Sequence, residues 1–176
     1  AGLTRFVSAQ NEWSLLTRTI EREVIPACDH FGVGQLPFFP LASGFLTGKY
    51  ESVEDLQEGT RFTLGDAGPR YRARYWDEIQ FDEVQRLKAY FRERDISLTH
   101  AAIAWCVDQP GITSAIVGPR TMEQFVDNLD CLGWEISEEA LAKIDELVPP
   151  GEHTGGGFND HQYPVHGRPK AEPPRL

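Results

Sequence analysis

Short strand-like stretches alternate with helical ones along this chain of 176 residues, and that alternation constrains the fold more than any other feature. The clearest strand is Ile112-Thr113-Ser114-Ala115-Ile116-Val117, which is β-branched and apolar. Arg5-Phe6-Val7-Ser8-Ala9-Gln10 alternates polar and apolar residues and delivers Gln10 to a loop. Val33-Gly34-Gln35-Leu36-Pro37-Phe38-Phe39 is a further apolar candidate, weakened by Pro37, which cannot donate to a sheet ladder.

Between these strands the apolar spacing changes to three and four. Leu16, Ile20, Val24, Ala27 and Phe31 predict one helical face over 15–31, interrupted or restarted at Pro26 and stopped by Gly32. Ile79, Val84, Leu87, Tyr90 and Phe91 trace a second helix from Asp77 to near Asp95. Ser97 caps a third over 98–108, with Ala101, Ala102, Trp105 and Cys106 on its buried side. Thr121 and Gln124 form a capping-box pattern that opens a helix through Leu129, and a last helix runs from Ser137 to Val148. Residues 40–75 lose periodicity, and a loop that long is expected to have work to do, such as covering a ligand. Strands alternating with helices argue for an α/β fold with a parallel sheet and helices packed outside it. Three strands are too few to close it.

Size agrees. A TIM barrel normally needs about 200 residues or more, so a complete barrel is not expected from 176. Residues 1–150 read as the globular unit. Residues 151–176, rich in Gly, Pro and His, read as a flexible or draped tail. The chain opens without methionine on the approach to a strand, which reads as a start in the middle of a fold. A formal charge of −10 opposes a phosphate-coating surface, so neither nucleic acid nor an anionic membrane is an expected partner. No apolar run is long enough to span a bilayer and no signal-peptide core is visible at the start, which predicts a soluble, cytoplasmic protein. Cys28, Cys106 and Cys131 are widely spaced, so buried thiols in a reducing compartment are expected rather than disulfides. His153, His161 and His166 match no structural zinc spacing and read as solvated.

Four segments, in order, identify a family. They are Ser8-Ala9-Gln10-Asn11-Glu12-Trp13-Ser14-Leu15-Leu16, then Pro40-Leu41-Ala42-Ser43-Gly44-Phe45-Leu46-Thr47-Gly48-Lys49-Tyr50, then 101–105, and finally 118–128. Over about residues 2–148 the chain resembles the C-terminal half of an aldo-keto reductase, in the branch of the aryl-alcohol dehydrogenases and potassium-channel β subunits. The resemblance implies a (β/α)8 barrel present only in its C-terminal part, about three strands with their helices. It also implies NADP as cofactor.

Carried onto this sequence, the resemblance gives Gln10 the nicotinamide carboxamide, for which an amide suits because it donates and accepts. The plain alternative is a polar strand-end residue. Phe38 resembles the ring that stacks on nicotinamide, with a core phenylalanine as its alternative. Phe39, Pro40, Leu41, Ala42 and Ser43 resemble the loop whose backbone N–H groups wrap the pyrophosphate. Lys49 and Arg61 resemble the cations that close over the cofactor, and Arg70, Arg72 or Arg74 could substitute for Arg61. Gly118 and Arg120 enter a helix whose free amides attract an anion, placing Arg120 to fork onto the 2′-phosphate. Gln124, Asp127 and Asn128 resemble the residues holding ribose phosphate and adenine. The bland reading of this last segment is a helix cap beside a solvated arginine. Residues 44–49 are not a P-loop, since three residues rather than four separate the glycines and Tyr50 stands where Ser or Thr would hold magnesium.

Carbonyl reduction also needs a proton donor. The family's tyrosine and its lysine, aspartate and histidine neighbours belong to the first half of the barrel, and none of Tyr50, Tyr71, Tyr75, Tyr90 and Tyr163 sits in that context. No catalytic residue is assigned, and the isolated chain is expected to be inactive. The expected partners are a small carbonyl substrate and the missing N-terminal half of the barrel. Open sheet edges allow a homo-oligomer as well. The reading from a different class is a non-catalytic, NADPH-sensing module like a potassium-channel β subunit.

Overall fold

The computed structural model describes residues 2–154. Three parallel strand segments lie side by side. β1 (Ser8–Ala9) pairs with β2 (Gly34–Gln35), Ser8 opposite Gly34 and Ala9 opposite Gln35. Parallel pairing reappears between Glu12 and Phe38, and on the other side of β2 between Gln35 and Ile112 and between Phe38 and Ile116. From its first pairing to its second, the middle strand advances three residues while the outer one advances four. That extra residue is a bulge, and it falls near Pro37, which has no N–H to give. The Pro37 carbonyl still accepts from the Ile116 N–H at 2.7 Å, so the outer strand is held despite the missing donor.

Helices pack beside this small sheet in chain order: α1 (Val24–Phe31), α2 (Gly68–Tyr75), α3 (Glu78–Arg92), α4 (Leu98–Asp108), α5 (Met122–Leu129) and α6 (Glu138–Leu147). The last four start where the sequence predicts. Asp77, Ser97, Thr121 and Ser137 each accept a hydrogen bond from the backbone N–H three residues on, satisfying a donor the helix leaves open. Ile79 departs from its expected stripe and is exposed.

The helix expected over 15–31 is broken. A tight turn joins Ser14 and Thr17, a short 3-10 turn spans Thr19–Glu21, and regular helix begins only at Val24. Two causes stand out. Trp13, Leu15 and Leu16 are buried, and Arg18 is 4% exposed, so almost every side chain here turns inward and no single face exists. Pro26 then falls in the first turn of α1, where its missing N–H would have had no partner. α1 itself buries no residue, and Phe31, expected inside, is exposed.

The stretch 40–75 is more ordered than its lack of periodicity predicts. A 3-10 segment covers Ala42–Thr47, another Gly65–Ala67, and α2 follows with Pro69 in its first turn. Aromatic packing organises it. The Phe45 ring lies 4.7 Å from Phe81 and 6.0 Å from Phe62, while Trp76 lies 4.8 Å from Phe62 and 5.0 Å from Tyr50. These rings join a core built from α3 and α4, where Trp105 stands edge-on to Trp13 at 5.4 Å.

The buried Arg18 fastens the chain's far parts. Its guanidinium reaches Glu21 at 2.8 Å, Asp145 at 2.7 Å and the Val148 carbonyl at 2.7 Å, and it lies 5.2 Å from the Trp105 ring. Residues 151–154, the start of the expected tail, run back along this region. The Arg18 N–H bonds the Glu152 carbonyl at 2.8 Å, and the Thr154 N–H bonds the Leu16 carbonyl at 2.8 Å. His153 is half-buried there and its Nδ1 has no partner among the described residues, whereas His161, His166 and the rest of the tail lie outside them. The cysteines carry free thiols, Cys106 and Cys131 buried and Cys28 half-buried. Burial pushes the Cys106 thiol up to about 12.

Candidate functional site

A cavity of about 350 Å³ opens at the C-terminal ends of the strands, between the loop after β2, the segment around Arg61, and the turn into α5. In open parallel sheets this is the side where ligands sit, because loops rather than ladders converge there.

The loop after β2 forms one wall. Phe39, Ala42 and Ser43 all have positive φ, at 59°, 46° and 60°, and Gly44 follows at 93°. Left-handed backbone is uncommon for residues with a Cβ. Hydrogen bonds from the Ala42 N–H to the Phe39 carbonyl and from the Gly44 N–H to the Leu41 carbonyl, both 2.8 Å, hold the turn. Thr47 Oγ1 donates to the Gly44 carbonyl at 2.8 Å. Ser43 faces the cavity only 8% exposed, and its hydroxyl has no partner among the described residues. An unmade hydrogen bond in so closed a position costs free energy that an acceptor in the cavity would recover.

The turn into α5 forms the opposite wall. Thr121 Oγ1 accepts from the Gln124 N–H at 3.2 Å, and Gln124 Oε1 accepts from the Arg120 N–H at 2.8 Å. The capping role is therefore real. Gln124 still lines the cavity, as do Gly118, Arg120, Asp127 and Asn128. Asp127 Oδ1 stands 3.0 Å from His100 Nε2, and Asn128 is buried.

A roof connects the walls. Arg120 Nη1 donates to the Gly59 carbonyl at 3.0 Å, and Arg61 stands 5.9 Å from the Tyr71 ring. Tyr71 in turn meets Phe39 at 6.1 Å. Lys49 lines the cavity too, 4.9 Å from the Tyr50 ring.

Charge marks this place out. The chain carries −10 overall, yet Lys49, Arg61 and Arg120 converge on one cavity, and none has a carboxylate partner among the described residues. Unneutralised cations brought together repel, and an anion between them removes that cost.

Eleven of the residues singled out in the sequence line this cavity: Phe39, Pro40, Leu41, Ser43, Lys49, Arg61, Gly118, Arg120, Gln124, Asp127 and Asn128. Three do not. Ala42 is buried in the core, Gln10 is exposed just beyond β1, and Phe38 pairs with Glu12 and Ile116. Gln10 and Phe38 nevertheless stand at the same end of the sheet as Gly118, on adjacent strands. Of the cations considered as replacements for Arg61, none lines the cavity, and Arg72 is turned to the Phe62 carbonyl.

One pair escaped sequence reasoning. The Tyr75 hydroxyl donates to Glu12 Oε1 beside Phe38, 63 residues away in the chain. Burial raises the Glu12 carboxyl above its ordinary range, partly offset by this hydrogen bond and by Arg74. Burial, and then Glu12, hold the Tyr75 hydroxyl well above its own. Tyr75 thus stays protonated as a donor and is not tuned to release its proton. Thr99 also lines the cavity, from the first turn of α4, with no sequence signal to mark it. Among the described residues no group of three His, Cys, Asp or Glu is placed to hold a metal, and no helix is long and apolar enough to cross a membrane.

Comparison with known proteins matches residues 1–149 to the model of the Aldo/keto reductase family. A probable aldo-keto reductase 1 of Glycine max is 31% identical over 151 residues, 86% of this chain and 42% of the relative. A probable voltage-gated potassium channel subunit beta of Oryza sativa subsp. japonica is 32% identical, covering 79% and 43%. A versiconal hemiacetal acetate reductase of Aspergillus parasiticus is 31% identical, covering 88% and 44%. The chain thus spans about two fifths of the length of these relatives.

Proposed function

This chain belongs to the aldo/keto reductase family, and from that membership we propose that it is the NADPH-gripping part of an oxidoreductase that reduces aldehydes or ketones. One observation carries the reading: three cations without carboxylate partners among the described residues, and a nearly buried serine hydroxyl without a partner among them, face one cavity at the strand ends. A dinucleotide phosphate fits that donor set, since it brings several negative charges and many acceptors.

In this proposal the backbone of residues 39–43 and the Ser43 hydroxyl hold the pyrophosphate, while Lys49 and Arg61 close over it. Arg120 pairs with the 2′-phosphate, and Gln124, Asp127 and Asn128 hold the adenosine. Gln10 binds the nicotinamide carboxamide and Phe38 supports its ring from the neighbouring strand. When bound, the nicotinamide supplies hydride to a carbonyl carbon. The residues named here bind and orient. None is proposed to protonate the product, and Tyr75 in particular keeps its proton on Glu12's side.

The three strand segments are proposed to be part of the family's (β/α)8 barrel, completed by a further polypeptide stretch carrying the proton donor. Domain limits of 1–150 and a tail of 151–176 belong to the same proposal, as does the cytoplasm, where three free thiols would stay reduced. Titration with NADPH, followed by nicotinamide fluorescence, tests the grip. Saturable binding that Lys49→Ala weakens by about tenfold is expected, as for the loss of one charged contact. No binding sinks the proposal. Mixed with NADPH and a panel of aldehydes, the 176-residue chain should oxidise none of it, and sustained turnover would refute that part.

A second reading has one observation in its favour, the similarity to a potassium-channel β subunit. In this second reading the same grip in this chain senses NADPH without turnover. Steady-state assays of the full-length protein separate the two, since aldehyde reduction excludes the sensor.

A further inference from the structure

Arg61 reaches the cavity without a fastening of its own. Among the described residues no hydrogen bond or ion pair holds its guanidinium, which rests 5.9 Å from the Tyr71 ring. Its place is therefore set by whatever places Tyr71. That residue belongs to α2, a helix with little to hold it: eight residues long, without a side-chain cap on its first turn among the described residues, and burying only Gly68 and Tyr75. A helix so short does not stand on propensity alone. Tyr75 is its one buried side chain, one helical turn from Tyr71 on the same face.

Tyr75 is fastened to the sheet. Its hydroxyl donates to Glu12 Oε1. Glu12 is itself clamped, because the Phe38 N–H bonds the Asn11 carbonyl at 2.9 Å and the Trp13 N–H bonds the Phe38 carbonyl at 3.3 Å, one residue to either side. Phe38 then meets Phe39 at 5.0 Å, Phe39 meets Tyr71 at 6.1 Å, and Arg72 gives its guanidinium to the Phe62 carbonyl next to Arg61. Contacts thus run from strand to helix to roof and back to the strand. Neither Glu12 nor Tyr75 lines the cavity, so the pair acts through others. Burying a carboxyl here is unfavourable, as its raised pKa shows. What the pair supplies is direction, since a hydrogen bond fixes an orientation that packed rings alone leave free to slide.

We propose that Glu12 and Tyr75 are positioning residues: their hydrogen bond fixes α2 against the strand that carries Phe38, and so sets Tyr71 as the seat from which Arg61 closes over a bound nucleotide. The inference rests on the dinucleotide reading above and adds to it how the roof is held in register. A pair that served the fold alone would change stability and leave the nucleotide affinity of the folded protein untouched. A pair that seats Arg61 changes that affinity, and only while Arg61 is present.

The test compares NADPH dissociation constants, and amide hydrogen exchange without nucleotide, in the parent protein, Tyr75→Phe, Glu12→Leu, Glu12→Gln, Arg61→Ala and the double variant Tyr75→Phe/Arg61→Ala. Tyr75→Phe keeps the ring between Phe45 and Phe62, each 6.5 Å away, so thermal unfolding should show it folded. Expected is a severalfold weakening for NADPH in Tyr75→Phe and in Glu12→Leu, up to the roughly tenfold loss of Arg61→Ala, in line with one lost charged contact. Glu12→Gln still accepts from Tyr75 and should bind as the parent does. The double variant should lose no more than Arg61→Ala, because the pair acts through that side chain. In Tyr75→Phe, exchange should quicken at the Thr63 amide, which bonds the Thr60 carbonyl at 3.1 Å beside Arg61, and stay unchanged at the Val148 amide, which bonds the Ile144 carbonyl at 2.8 Å. Parent-like affinity in Tyr75→Phe overturns the inference, as does full additivity in the double variant or weakened binding in Glu12→Gln. Equal quickening at both amides overturns it too, since that marks a general loss of stability. If the parent binds no NADPH, the dinucleotide reading falls and takes this inference with it. If it binds and only these differences fail to appear, that reading stands and this inference alone is lost.

Discussion

Glu12 sits three residues beyond β1 with its carboxylate against the Tyr75 hydroxyl, and its burial has a consequence for stability. Desolvation raises its folded pKa above the unfolded value, with Tyr75 and Arg74 only partly opposing. A raised acid contributes stability that is present in full below the unfolded pKa and lost as pH climbs through the folded one. Glu12→Gln removes the titration yet keeps an oxygen to accept from Tyr75. Its melting temperature should therefore improve relative to the parent as pH rises from about 4 to about 7. A difference that stays flat across that range would show that Glu12 carries no such penalty. Arg18 presents the opposite case, a buried charge with three acceptors. Arg18→Leu strands Asp145 and Val148, although Glu21 keeps the Trp13 Nε1 donor at 2.9 Å and the Gly151 N–H at 3.1 Å. A loss near the low end for broken buried pairs is expected, about 3 kcal/mol by urea unfolding. A loss below about 1 kcal/mol, as for an exposed pair, would contradict it. Neither cluster was legible in the sequence, since Glu12 finds Tyr75 across 63 residues and Arg18 finds Asp145 across 127. Residues whose partners lie within one helical turn, such as Thr121 and Gln124, were legible.

At the scale of elements, what the sequence revealed follows how locally each element is determined. α3 to α6 each begin at a capping side chain that the chain itself names, and their starts are where the spacing places them. α2 was missed because its stability comes from elsewhere. Tyr75 and Gly68 are its buried residues, and the ring cluster around Phe62 and Trp76 holds it. The helix expected across 15–31 failed for the converse reason: tertiary burial of Trp13, Leu15, Leu16 and Arg18 overrode a periodic pattern. The bulge near Pro37 depends on two strands at once and no single segment encodes it. α5 is the element most dependent on its cap, because Asn128 is its one buried residue. Thr121→Ala should cost about 1 kcal/mol and speed hydrogen exchange at the Gln124 amide, which loses its acceptor. Exchange unchanged at that amide would mean that the Gln124 side chain, folded back to Arg120, suffices to hold the turn.

The whole molecule has apolar surface at both margins of its sheet. On the β1 side, Leu3, Phe6 and Val7 are each about four fifths exposed or more, and Phe31 of α1 stands bare with them. On the other side, Phe125, Leu129 and Leu132 are exposed around an apolar groove between α4, the outer strand and α5. The outer edges of β1 and of residues 112–116 have no strand beside them among the described residues. Unpaired edges and contiguous apolar patches favour association, because joining them buries surface at about 25 cal/mol per Å² and pairs backbone groups that water otherwise serves. The acidic net charge of −10 opposes contact but is spread over the surface and screened by salt. Apolar burial should therefore prevail as concentration and ionic strength rise. Sedimentation velocity is expected to show the weight-average mass growing from low to high micromolar protein, more so in high salt. Phe6→Lys and Leu132→Lys, one at each margin, should each reduce that growth while leaving the cavity at the strand ends intact, because neither residue lines it. A mass that stays monomeric at every concentration, or association that weakens as salt is added, would assign the margins no part in assembly and leave charge in control.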